Sequence, residues 1–206
     1  MSAVGQFKIY GDVASGNCQK VRLVADHLGL PYEWVPVDIA RGGSRTKEFL
    51  AKFDQGQVPA IELSDGRCLA QSNGILRFLA RGSHLLPDDI WIQAKVDEWL
   101  FWEQYSHEPY IAVCRSHMFY QGKPRETREP WRVERGENAL DHMERQLAGR
   151  EWLAGSDLTI ADIALIAYTH VAHEGGFDLS ARPHLRSWIA RCRNALAPAK
   201  LDQGPT

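Results

Sequence analysis

The chain has 206 residues, a formal net charge of −2, 44% hydrophobic residues and 24% charged ones. That balance fits a globular chain long enough for two small domains. It excludes a strong general field for nucleic acid or an acidic membrane. The four cysteines, Cys18, Cys68, Cys114 and Cys192, are widely spaced and form no Cys-x-x-Cys. They point to a reducing cytoplasm, not to a disulfide framework. Met1 to Gly5 lacks the basic and apolar pattern of a signal peptide. The most apolar stretch, Leu158 to Tyr168, is short and carries Asp162, which argues against a membrane span.

In chain order, Phe7 to Tyr10 reads as a strand ending at Gly11. From Cys18 to Leu28, Val21, Val24, Ala25 and Leu28 recur at helical spacing until Gly29 and Pro31 stop them. Tyr32 to Val37 reads as a strand and Thr46 to Phe53 as a short helix. Ala60 to Leu63 and Cys68 to Ala70 flank Ser64-Asp65-Gly66, a hairpin signal. Ser72 to Ala80 closes the region as a helix. The order β-α-β-α-β-β-α predicts a mixed sheet with helices on its faces. Residues 1–80 form this first domain, 81–89 the linker and 90–206 an all-helical second domain. In the second domain, helices are expected over Ile90 to about His107, Trp131 to Leu147, Thr159 to His173 and Pro183 to Leu196. Pro109 should break or kink the first, Gln121 to Pro130 reads as a loop, and Ala197 to Thr206 reads as a frayed tail.

Three segments of the first domain can carry chemistry. Ser15-Gly16-Asn17-Cys18 stands between the first strand and helix, where helix N-termini favour anions and thiolates. Ser15 or Asn17 could equally be a plain helix cap. Gly56-Gln57-Val58-Pro59 enters a strand, and a cis bond before Pro59 would turn the Val58 backbone outward to pair with a peptide ligand. Gln57 could reach a terminal carboxylate; the plainer reading is a turn entering an edge strand. Gln71-Ser72 opens a helix, where the Ser72 N–H and hydroxyl suit a carboxylate and Gln71 could bond the neighbouring amine or carboxylate. Alone, that pair is also a plain cap. Their order on this strand and helix pattern gives the combination its weight.

With Leu-Leu-Pro-Asp-Asp at 85–89 and Trp-Leu-Ala-Gly-Ser-Asp-Leu-Thr-Ile-Ala-Asp-Ile-Ala at 152–164, these segments carry a family resemblance across nearly the whole chain. The sequence resembles the cytosolic-type glutathione S-transferases, in particular bacterial members with a serine or asparagine active site. The resemblance implies a thioredoxin-like N-terminal domain and an all-helical C-terminal one. It implies that Gln57, Val58, Gln71 and Ser72 hold glutathione, with Pro59 as the cis-proline. Ser15 matches the hydroxyl of serine-type members and Asn17 the amide some bacterial members use. Gly16-Asn17 departs from the Ser-Ser-Cys of zeta-type isomerases. In the 152–164 segment, Thr159 and Asp162 form a capping box with a role in folding and stability.

A free thiol with pKa about 8.5 is only a few per cent thiolate at pH 7. Lowering it by about two units takes about 2.7 kcal/mol of selective stabilisation. A helix N-terminus supplies roughly 1–2 kcal/mol and a bond to a charged group roughly 1.5–3 kcal/mol. No charged side chain is needed. Cys18 is a candidate for a mixed disulfide, though a packed thiol is the stronger expectation.

In the second domain, Trp99, Trp102 and Tyr105 could line an apolar pocket or pack helices. His107, Tyr110 and Arg115 are candidates for the pocket of a hydrophobic electrophile. His170 and His173 stand three apart without a convincing third ligand, so no metal is expected. Arg125 to Glu137 mixes both signs and reads as solvated surface. The expected activity is transfer of glutathione thiolate to a small electrophile, in the detoxification class. The alternatives are glutathione-dependent reduction of a disulfide and a non-catalytic interaction module. The resemblance also implies a homodimer.

Overall fold

A short strand with alternating burial needs partners on both edges, and β1 (Phe7–Gly11) finds them. In the computed structural model, which describes residues 5–196, it pairs in parallel with β2 (Tyr32–Pro36) and antiparallel with β3 (Ala60–Leu63). β4 (Cys68–Ala70) adds to the other side of β3, giving the order β2-β1-β3-β4. The register sets Ile9 opposite both Trp34 and Ile61. The hairpin closes as the Asp-Gly signal requires. Gly66, with φ 83°, takes the left-handed position, and its N–H donates to Leu63 O at 2.9 Å.

Two helices bury their apolar stripes beside this sheet. α1 (Gly16–His27) contributes Val21, Leu23 and Val24, and α3 (Ser72–Ala80) contributes Ile75, Leu76 and Leu79. The two helices pack on one another. α2 (Lys47–Lys52) starts at Thr46, whose hydroxyl accepts the Phe49 N–H at 3.2 Å. It adds Phe49 and the following Phe53 to a cluster with Val37 and Ala60. These elements fall in the expected order.

The chain divides into two units between Pro87 and Asp88. The second unit, as described, has no strand, in line with the all-helical expectation. It contains α4 (Ile90–Trp102), α5 (Glu108–Arg115), α6 (Pro130–Leu147), α7 (Ile160–Thr169) and α8 (Pro183–Ala195). The first helix is interrupted near Pro109: a π-helical turn over Glu103–His107 joins α4 to α5, and Pro109 sits in the first turn of α5. That position needs no N–H from it. α7 stops at Thr169, so His173 lies on a separate 3-10 turn, Ala172–Gly175. The Gly175-Gly176 pair closes that turn. Gly176 has φ 78°, and a Cβ on Gly175 would stand 2.9 Å from the Arg115 backbone nitrogen. The expected tail, 197–206, lies outside the described residues.

The capping box is present at the start of α7. Asp162 is wholly buried and accepts from Thr159 N at 3.0 Å, Leu153 N at 3.0 Å and Trp188 Nε1 at 2.9 Å. Burial pushes its carboxyl up, and the donated hydrogen bonds pull it back down. A second polar node ties α6 to the start of α8. Arg182 meets Glu137 and Asp141 at 2.7 Å each and donates to Asp178 O.

Candidate functional site

The loop after β1 is shaped by Asp12, whose carboxylate accepts the Ala14 N–H at 2.9 Å and whose carbonyl accepts the Ser15 N–H at 3.1 Å. Ser15 then becomes the N-cap of α1, with φ −77° and ψ 120°. Its Oγ accepts the Cys18 N–H at 3.4 Å. A hydroxyl also carries a proton to donate, and accepting from a helix N–H strengthens that donation. Asn17 lies in the first turn. Its Oδ1 accepts from Ser72 Oγ at 3.1 Å, so its remaining polar group is an NH2 donor. Both Ser15 and Asn17 are half-buried.

Ser72 is the first residue of α3. The Ser72–Asn17 bond therefore sets the N-termini of α1 and α3 beside one another, within one unit. Each presents partial positive charge and N–H donors to an anion. Gln71, just before α3, has φ 68° and ψ 109°. This conformation is uncommon for a residue with a side chain and costs on the order of 1–3 kcal/mol. Its Nε2 donates to Gln55 Oε1 at 2.9 Å and meets Gln57 Oε1 at 3.5 Å. The Val58–Pro59 bond is cis, with Gln57 exposed and Pro59 buried. Gly56 precedes these residues at φ 61°, and a Cβ there would stand 2.6 Å from Arg45 Nη1 and 2.9 Å from Ser44 O. All three sequence segments thus meet in the first unit: Asn17 touches Ser72, and Gln71 touches Gln57. Gln55 is a member the sequence did not reveal. It lies 16 residues from Gln71, directly before the Gly56-Gln57-Val58-Pro59 segment.

The donor set suits a peptide-like anion with a thiol. Two family models match the chain: Glutathione S-transferase, N-terminal domain, over residues 14–81, and Glutathione S-transferase, C-terminal domain, over residues 125–191. The chain belongs to the glutathione S-transferase family. A glutathione S-transferase from Pseudomonas fluorescens, solved by crystallography, is 52% identical. That match covers 91% of this chain and 94% of that one, with a TM-score of 0.87. Maize glutathione S-transferase 3 is 31% identical over 88% of this chain and 86% of its own. The disulfide-bond oxidoreductase YfcG of Escherichia coli is 29% identical over 86% of each.

For a glutathione S-transferase fold, the cysteine beside the site is informative. Cys18 is fully buried, and burial pushes its thiol up to about 11. At that value fewer than about one in a thousand is thiolate at pH 7, so Cys18 is a packed thiol. Its sulfur lies 3.0 Å from where a Cβ on Gly11 would stand.

The candidates for the electrophile pocket lie largely buried in the helical unit. His107 is wholly buried, and its Nε2 meets Thr169 Oγ1 at 3.0 Å. Tyr110 is 8% exposed and accepts from Arg135 Nη1 at 2.9 Å. Arg115 is 7% exposed, pairs with Glu174 and lies over the Phe119 ring. Each of these side chains has a polar partner within the helical unit. Trp99 is buried too, and its Nε1 donates to Leu153 O at 2.9 Å. Tyr105 is 79% exposed. His170 holds Ile166 O through Nδ1 at 2.6 Å, and His173 is on the next turn. Among the described residues no group of three or more metal-ligating side chains occurs.

Proposed function

We propose that the protein binds glutathione at the paired starts of α1 and α3, lowers its thiol pKa, and transfers it to a small hydrophobic electrophile. The Ser72–Asn17 bond carries this reading, because it gathers two helix N-termini at one place. In it, Ser15 donates its hydroxyl proton to the thiolate while accepting the Cys18 N–H. Asn17 is a positioning residue that holds Ser72 and orients α1 against α3. Ser72 and the N-terminus of α3 receive a carboxylate of the tripeptide, Gln71 and Gln57 its polar ends, and the Val58 backbone its peptide groups. The thiolate attacks the electrophilic carbon, a carbon–sulfur bond forms, and the leaving group departs with the bonding electrons. The four free cysteines fit a reducing compartment, and we place the enzyme in the cytoplasm as a homodimer.

A second reading is supported by the likeness to an oxidoreductase acting on disulfide bonds. There the bound thiolate attacks a disulfide sulfur and releases one thiol. A second glutathione then resolves the mixed disulfide, giving oxidised glutathione and the other thiol. This reaction needs no protein cysteine, and Cys18 is buried.

The test is the absorbance of the glutathione thiolate against pH, bound to wild type, Ser15→Ala and Asn17→Ala. The expected wild-type pKa lies about two units below the free thiol, and Ser15→Ala returns it to the free value. An unshifted wild-type pKa overturns the activation reading. Turnover of a disulfide but no alkyl or aryl electrophile selects the second reading.

A further inference from the structure

We propose that His27 and His84 form a surface site for one divalent transition-metal ion, Cu2+ before Zn2+, held by two imidazole nitrogens and completed by water. The two residues are 57 apart in sequence, yet their Nε2 atoms face one another at 3.0 Å. Two such nitrogens cannot both carry a proton at that distance. One donates and the other accepts, so a lone pair already points into the gap. When the donor ring shifts its proton from Nε2 to Nδ1, two neutral imidazoles turn their Nε2 lone pairs toward one point, as a metal requires.

The ring geometry needs little change. In a tetrahedral site with metal–nitrogen bonds of about 2.05 Å, two ligating nitrogens lie about 3.3 Å apart and their ring centres about 5.2 Å apart. The ring centres of His27 and His84 are 5.2 Å apart. In a square-planar copper site the adjacent nitrogens lie about 2.9 Å apart. The observed 3.0 Å falls between the two arrangements. Each ring need only pivot about its centre to exchange the proton for a metal.

Both histidines stand on ordered backbone. His27 is in the last turn of α1, which is closed by Leu28 N donating to Val24 O and Leu30 N to Ala25 O, at 3.0 and 2.8 Å. His84 is held between Ser83, whose Oγ donates to Ala80 O at 2.7 Å, and the buried Leu85 and Leu86. The convergence is thus pre-organised, which favours chelation over binding by either ring alone. With two protein ligands the ion is exchangeable, unlike the closed four-ligand sites that build folds. For equal nitrogen ligands Cu2+ binds more tightly than Zn2+. A bound ion would pin the end of α1 to the segment that leaves the first unit. The proposal is independent of the glutathione reading.

Isothermal titration of CuCl2 and of ZnCl2 into the full chain tests it, with wild type, His84→Ala and His27→Ala compared. One saturable Cu2+ site per chain is expected, weakened about tenfold or more in either variant by loss of the chelate partner. Pulsed EPR of the one-to-one Cu2+ complex should show two imidazole nitrogens in wild type and one in His84→Ala. His84 is exposed, so that variant should keep the wild-type circular dichroism spectrum. Cu2+ binding that is absent from wild type, or unchanged in His84→Ala, overturns the site.

Discussion

At the start of α7, Thr159 and Asp162 satisfy the helix end from within. The carboxylate accepts from two backbone N–H groups and from the Trp188 indole, and is wholly buried. At the start of α1, Ser15 accepts one N–H at 3.4 Å and lies half-buried, while Asn17 gives its oxygen to Ser72. Both are polar helix starts in the same chain. The closed one holds its own helical unit together. The other is a neutral start, with a hydroxyl and an amide at the end of a helix dipole, and in the proposed function it is the one that meets a ligand. A buried carboxylate suits the first to stability, and in the proposed function a neutral hydroxyl would let the second meet a thiolate without repelling it.

The largest effect should come from breaking the closed start. Asp162→Ala leaves the Leu153 and Thr159 N–H groups and the Trp188 indole without their acceptor, and should cost about 3–5 kcal/mol in urea unfolding. A loss under about 1 kcal/mol would show that those bonds do not hold the helical unit.

Cys18→Ala probes the packing beneath the open start. It should cost about 1 kcal/mol through the small cavity left beside Gly11 and Trp34. The pKa of bound glutathione should not move, and a rise would give the Cys18 thiol a chemical role that its burial denies.

Ser15→Ala should do the least to stability, about 0.5–1 kcal/mol for one lost cap. It should do the most to chemistry. With the thiol pKa raised, the rising limb of rate against pH moves to higher pH. If stability falls but the limb stays, Ser15 is only a cap, and the contrast between the two helix starts fails.

The order of elements was legible because it depends on short-range physics. Alternation marked β1, the Asp-Gly turn marked the hairpin, and Ser72 opened α3. The Thr159–Asp162 box was legible too, because its partners are three residues apart. Local spacing missed that the run beginning in α7 stops at Thr169, with His173 on a separate 3-10 turn.

By itself the sequence determined which residues could begin a helix, close a turn or fill a strand face, since each depends on neighbours a few bonds away. It also determined the chemical inventory of the site: hydroxyls and amides, with no charge required. Only the tertiary structure decided which of those groups meet. Asn17 reaches Ser72 across 55 positions, Gln71 reaches Gln55 across 16, and His27 faces His84 across 57. It also decided that His107 turns inward, toward Thr169, 62 positions away. Such pairings follow from how sheet and helices pack, and packing sums many weak contacts that no local pattern records.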